Sequence, residues 1–274
     1  MTHPSNSSAD AASQSVSGDA SGPVAGTPGP IDAKQAMGWM HTARFLTTAA
    51  QLHHLPVSNL PEVAFVGRSN AGKSTCINTL TQQKQLAFAS KKPGRTQHIN
   101  LFSLGRQGVT DAVLADLPGY GYAAVPKQDK IRWQRVMANY LVSRENLTGV
   151  VLLCDPRHGL TELDEILLDV IRPRVAEGLK FLVVLTKSDK LTRVEGRKAL
   201  QIAELNAGGG EAQLFSALNR QGVEEAALRL WHWTHPAATA SNLAATSTDE
   251  KPSDSEGGDN NLTVQEVPAP DEPS

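Results

Sequence analysis

Apolar positions along this chain gather into six short β-rich runs, at residues 62–67, 98–104, 112–117, 150–155, 180–186 and 213–217. The runs around 150–154 and 181–185 are apolar throughout, the pattern of parallel strands covered on both faces. Between the runs lie amphipathic stretches near 73–82, 127–143, 161–177, 191–206 and 221–234. Alternating strands and helices predict an α/β fold, with helices on both faces of a six-stranded, mostly parallel sheet. Only 105–110 joins the second and third runs, and it holds two glycines, so one antiparallel hairpin is expected there.

The ends of the chain break this pattern. Residues 1–30 are almost wholly Ser, Ala, Gly, Pro, Thr, Asn and Asp, and 241–274 are rich in Asp, Glu, Ser and Pro. Neither carries enough apolar surface to offset chain entropy. The expected organisation is a disordered extension over 1–34, one domain over 35–238 and a disordered acidic tail over 239–274. Residues 1–30 and 241–274 hold ten of the 28 acids and one of the 26 bases, which leaves a net-positive middle. A basic domain suits a polyanion such as RNA, and equally an ordinary soluble surface. Cys76 and Cys154 have no metal-ligand or disulfide spacing and are expected as buried hydrophobes in a reducing compartment. No signal core and no run of about 18 apolar residues occurs, so a cytoplasmic protein with no membrane association is expected.

Four segments carry chemistry. The first run leads into Gly67-Arg-Ser-Asn-Ala-Gly-Lys-Ser74, a G-x-x-x-x-G-K-[ST] loop between a strand and a helix. Glycines let the backbone wrap a phosphate, and successive N–H groups with the helix N-terminus face the anion. Lys73 then reaches the β- and γ-phosphates, and the Ser74 hydroxyl is a ligand for Mg²⁺. After the third run, Asp116-Leu-Pro-Gly119 places an acid where it can hold Mg²⁺ through water, and the Gly119 N–H where it can bond a γ-phosphate. Thr186-Lys-Ser-Asp189 selects the base. A carboxylate accepts two parallel bonds from guanine N1–H and its 2-amino group, and adenine offers neither in that arrangement. The Lys187 stem lies along the base plane, and the amides of Ser216-Ala217-Leu218 can meet the guanine O6. Between the first two runs, Lys91-Lys-Pro-Gly94-Arg95-Thr96-Gln97-His98 fits a switch loop, with Thr96 closing on Mg²⁺.

Two further features bear on rate and partner. Tyr120 stands where Ras-like enzymes place the glutamine that orients the attacking water, so slow hydrolysis is expected. Asn70, beside the phosphates, is either a ligand for K⁺ in place of an arginine finger or a side chain that stabilises the loop. Lys127, Lys130, Arg132, Arg135 and Arg144 interleave with Trp133, either as an RNA-binding face or as a solvated helix face. Asp155-Pro-Arg157-His158 is either a partner contact or a capped turn. A metabolic or transport P-loop enzyme using ATP is the competing reading, which the Thr186–Asp189 segment opposes.

Together these segments resemble the EngB-type bacterial GTPases, also called the YihA or YsxC family, of the TRAFAC class. The resemblance extends to Ala43-Arg-Phe, His54-Leu-Pro, Asp155-Pro-Arg-His and 215–222, and covers about residues 42–234. It implies one GTPase domain, acting as a monomer, that binds GTP and GDP and assists assembly of the large ribosomal subunit. Partners would be ribosomal RNA and ribosomal proteins of that precursor, with an effect on cell division and septation. It also implies Ser74 and Thr96 as the Mg²⁺ ligands; Lys73, Thr96 and Asn70 are the catalytic candidates among these residues. The implied nucleotide contacts are Gly67, Arg68, Ser69, Asn70, Ala71, Gly72, Lys73 and Ser74. They continue with Gly94, Arg95, Thr96, Gln97 and His98, then Asp116, Leu117, Pro118 and Gly119. Thr186, Lys187, Ser188, Asp189, Ser216, Ala217 and Leu218 complete the set.

Overall fold

A computed structural model of the chain describes residues 31–87, 98–121 and 127–236, with the side chains of 127, 129, 130, 132 and 133 excepted. Seven strands form one sheet: β1 (Arg44–Ala49), β2 (Glu62–Gly67), β3 (Ile99–Leu104), β4 (Ala112–Asp116), β5 (Leu147–Cys154), β6 (Lys180–Leu185) and β7 (Glu211–Leu214). Their spatial order is β1-β3-β4-β2-β5-β6-β7. The pairs from β4 through β7 are parallel, and β3–β4 is the expected antiparallel hairpin.

The sheet thus has one strand more than the six expected, and a second antiparallel pair, β1–β3. β1 escapes a search for alternation because it is an edge strand. A register shift between Phe45 and Thr47 interrupts its period of two. Only Ala49 is buried, while Phe45 and Leu46 face outward.

Among the described residues, six α-helices cover the sheet. α1 (Ala33–Met40), α2 (Lys73–Leu80) and α6 (Val223–Thr234) share one core with Val63, Phe65, Phe102 and Leu114. α3 (Lys127–Ser143), α4 (Glu162–Ala176) and α5 (Arg193–Asn206) lie over the other face, where Tyr140, Leu167 and Ala203 pack with Ala64, Val66 and Val150. Successive residues of β2 therefore feed opposite cores, the expected behaviour of a central strand. α1 starts at Ala33 through a capping box, in which Asp32 and Gln35 bond each other's backbone N–H at 2.7 and 2.9 Å. It docks on α6 through Trp39, edge-on to Trp231 with ring centroids 5.2 Å apart. Both cysteines are buried and free. Arg144 is not part of an open basic face: it pairs with the buried Glu62 at the start of β2, 2.9 Å away. The side chains of Lys127, Lys130, Arg132 and Trp133 lie outside the described ones.

Candidate nucleotide site

The phosphate loop is held where β2 ends and α2 begins. Gly67 has φ +154°, and a Cβ there would sit 2.6 Å from the Leu153 carbonyl oxygen, so the close approach of β5 requires glycine. Asn70 and Gly72 both take left-handed backbone conformations, at φ 68° and 94°, which turns the loop tightly before α2. Lys73 opens that helix. β2 and β4 run in parallel with Phe65 opposite Asp116, so the acid ends beside the loop and its carboxylate accepts from the Lys73 ammonium. Both partners of this ion pair are buried.

The segment after Asp116 is strapped across the loop. Leu117 N–H donates to the Phe65 carbonyl (3.1 Å) and Tyr120 N–H to that of Gly67 (3.3 Å), while Ser69 N–H donates to the Tyr120 carbonyl (2.8 Å). Gly119 lies so near that a Cβ would be 3.3 Å from the Ser69 backbone. The Tyr120 side chain turns inward, and its hydroxyl donates to Asp164 at the start of α4, 2.5 Å away. Burial first, then Asp164, raises the Tyr120 phenol well above its usual range, so it remains a donor.

On the other side, the end of β6 is tied to the same loop. The Thr186 hydroxyl donates to the Ala71 carbonyl at 2.6 Å. The Lys187 ammonium donates to the Asn70 carbonyl at 2.9 Å and to Asp155 at 3.0 Å. Arg157, and after it Lys187, hold the Asp155 carboxyl well below the usual carboxylate range. Arg157 N–H also donates to Asp155, at 3.2 Å, so 155–158 is a capped turn, with the exposed His158 as its last residue. Cys154 sits behind this turn, and burial pushes its thiol up to about 12. The Ser188 N–H donates to the Phe215 carbonyl at 3.1 Å, which joins the loops after β6 and β7. The Ser216 hydroxyl donates to Asp189 at 2.7 Å and lowers the titration of that carboxyl. Of the three amides expected at guanine O6, that of Ser216 bonds the Gln221 carbonyl (3.0 Å) and that of Leu218 bonds the Ser216 hydroxyl (3.2 Å). Ala217 is the one with no partner among the described residues.

The structure therefore brings together Gly67 through Ser74, Asp116 through Gly119, Thr186 through Asp189 and Ser216 through Leu218 at one end of the sheet. His98 lies just ahead of β3 and is exposed. Gly94, Arg95, Thr96 and Gln97 lie outside the described residues. A cavity of about 350 Å³ flanks the loop, lined by Arg68, Asn70, Asp155, Arg157, Asp164 and Lys187 among others. Sequence reasoning missed the Asp155–Lys187–Asn70 tether and the Tyr120–Asp164 bond. Only the Asp-x-Arg turn signal pointed toward the first.

Comparison with known proteins decides the family. The chain is 80% identical over 202 residues to the probable GTP-binding protein EngB of Albidiferax ferrireducens, covering 74% of this chain and 98% of that protein. It belongs to the EngB family of P-loop GTPases. The EngB of Acidovorax ebreus is 77% identical over 200 residues, 73% of this chain and 92% of its own length. That of Burkholderia pseudomallei is 47% identical over 215 residues, 75% and 97%. The family described as 50S ribosome-binding GTPase matches residues 62–187. A crystal structure of a probable GTP-binding protein EngB superposes with a TM-score of 0.51 at 20% identity, over 64% of this chain and 99% of that one. An Aquifex aeolicus Era variant bound to GDP and aluminium fluoride gives 0.53 at 21%, over 65% and 57%. These two likenesses bear on the fold. As a member of the EngB family this chain binds GTP and hydrolyses it.

Proposed function

We propose that GTP lies along the groove from Lys73 to Asp189, and that its hydrolysis switches this protein during assembly of the large ribosomal subunit. The observation that carries the reading is the Asp189 carboxylate, held by the Ser216 hydroxyl on a loop fastened to the phosphate loop through Thr186 and Ala71. In this reading the guanine edge meets Asp189, and the Ala217 amide faces its O6. The triphosphate lies on the amides of 67–74, and Lys73 exchanges its Asp116 partner for phosphate oxygens. Ser74 stands in the first turn of α2, next to Lys73, and the Asp116 carboxylate lies beside Lys73. A hydroxyl and a carboxylate are the hard oxygen donors that suit Mg²⁺. Ser74, with Thr96 from the switch loop, would hold it directly and Asp116 through water, and the ion would neutralise charge on the β- and γ-phosphates. Gly94 through His98 close over the nucleotide, and Gly119 meets the γ-phosphate.

The buried Tyr120 hydroxyl is committed to Asp164, so this residue supplies nothing to an attacking water. Hydrolysis by the isolated protein is therefore slow and awaits a partner. K⁺ near Asn70 is a further candidate for speeding it, with the rate in matched K⁺ and Na⁺ buffers as its readout. The ribosomal role is supported by the match to a family described as 50S ribosome-binding. An effect on division and septation would follow from ribosome supply. Among the described residues no helix is long and apolar enough to cross a membrane. A single domain over 35–238, working as a monomer in the cytoplasm, completes the reading.

Two experiments test it. Asp189→Asn should move preference from guanine to xanthine nucleotides in competitive binding, because the amide now donates where the acid accepted. Undiminished guanine preference would overturn the base assignment. For the partner, cell extract is sedimented through a sucrose gradient with and without a non-hydrolysable GTP analogue. The protein should move to the large-subunit fractions with the analogue. Staying at the top in both samples would remove the ribosomal role.

A further inference from the structure

Asp164 belongs to none of the nucleotide-binding segments, yet it is a buried carboxylate beside them with both oxygens bonded. It is 1% exposed and lies in the first turn of α4. One oxygen accepts from the Thr161 N–H and hydroxyl, each at 2.7 Å; the other accepts from the Tyr120 hydroxyl at 2.5 Å. Capping a helix does not call for this much. At α5, Glu195 makes the same pair of bonds to Thr192, both 2.8 Å, from an exposed position. Burying a carboxylate costs free energy unless its bonds return it. The bond that distinguishes Asp164 from Glu195 is the one to Tyr120, across 44 positions of sequence.

Tyr120 is the residue immediately after Gly119. Its carbonyl accepts from Ser69, its N–H donates to Gly67, and its ring is buried against the helical layer of α3 and α4. Three bonds thus fix the chain one residue from the amide assigned to the γ-phosphate. Without the hydroxyl bond Tyr120 keeps its two backbone bonds, and the side chain that holds the strap down has no polar partner inside.

We propose that Asp164 is a positioning residue for recognition of the γ-phosphate: through the Tyr120 hydroxyl it keeps Gly119 set against the phosphate loop before GTP arrives. The inference rests on the nucleotide placement given above. Because the strap is ordered in advance, GTP binding meets little cost of ordering it, and GDP, which has no γ-phosphate, gains nothing from the strap. The anchor therefore acts on the difference between the two nucleotides and not on guanine affinity in general.

The test is a double-mutant cycle on the full chain: Tyr120→Phe, Asp164→Ala and both together. Dissociation constants are measured for GDP and for a non-hydrolysable GTP analogue, with thermal unfolding of each variant alongside. Each single variant should weaken the analogue by about tenfold relative to GDP, and the double variant should add no further change, since one bond is being removed twice. Tyr120→Phe removes only an oxygen atom, and so keeps the test open if Asp164→Ala unfolds. Equal weakening of both ligands would mean a role in stability alone and would overturn the proposal, as would additive losses or an unchanged ratio. If the unaltered protein discriminated against neither adenine nor xanthine, the nucleotide placement itself would fall, and the anchor with it.

Discussion

Ser216 shows how much one hydroxyl can organise. It is fully buried, donates to Asp189 and accepts from the Leu218 amide and, at 3.4 Å, from that of Asn219. The carboxylate is thereby oriented, and the hydroxyl keeps it ionised below its ordinary range. Ser216→Ala should weaken GDP binding by about five- to tenfold, read by fluorescence titration with a labelled nucleotide, because the acid must then be ordered by the base itself. Lys73, Asp116 and Asp189 are legible in the sequence because each sits at a fixed offset from a strand end, where parallel strands deliver side chains to one rim. The groups that hold them are not. Thr186 and Ala71 are 115 positions apart and Lys187 and Asp155 are 32, and no local spacing marks either pair. The notion that all three amides of 216–218 face the ligand also required the loop conformation, which spends two of them internally.

At the level of elements, β2, β4, β5 and β6 are legible because each is buried on two sides, and the helices because each is buried on one. β1 and α1 are not. β1 buries a single residue, and α1 is a short helix flanked by a polar segment, although Asp32 with Gln35 three positions on is a readable capping signal. One contact between layers sets a measurable limit. A Cβ at Gly149 on β5 would lie 2.3 Å from Cε3 of Trp233 on α6, inside any permitted contact. Gly149→Ala should therefore force the helix outward and cost about 1–3 kcal/mol in urea unfolding. A variant as stable as the parent would show that α6 sits more loosely than its packing indicates.

The whole molecule is polarised between a working rim and a locked base. At the base, the fully buried Glu62 accepts two bonds from Arg144, at 3.0 and 2.9 Å, and one from the Tyr140 hydroxyl, while Arg144 also reaches the Pro56 carbonyl at 3.1 Å. Removing one member of such a group leaves a buried charge unpaired, which typically costs about 3–5 kcal/mol. Glu62→Leu should lose stability of that order by chemical unfolding, while the folded fraction keeps its affinity for GDP, because β2 carries the defect at its far end. Sequence offered no hint of this lock, since Glu62 looks like the polar start of an apolar strand. At the rim, the two crossbars from Thr186 to Ala71 and from Lys187 to Asn70 make the proposed base seat and the proposed phosphate seat one mould. A fragment such as guanosine, or a bare diphosphate, then meets a seat already shaped by its absent half. Neither fragment prepares the protein for the other, so whatever synergy a nucleotide enjoys must come from its own covalent linkage.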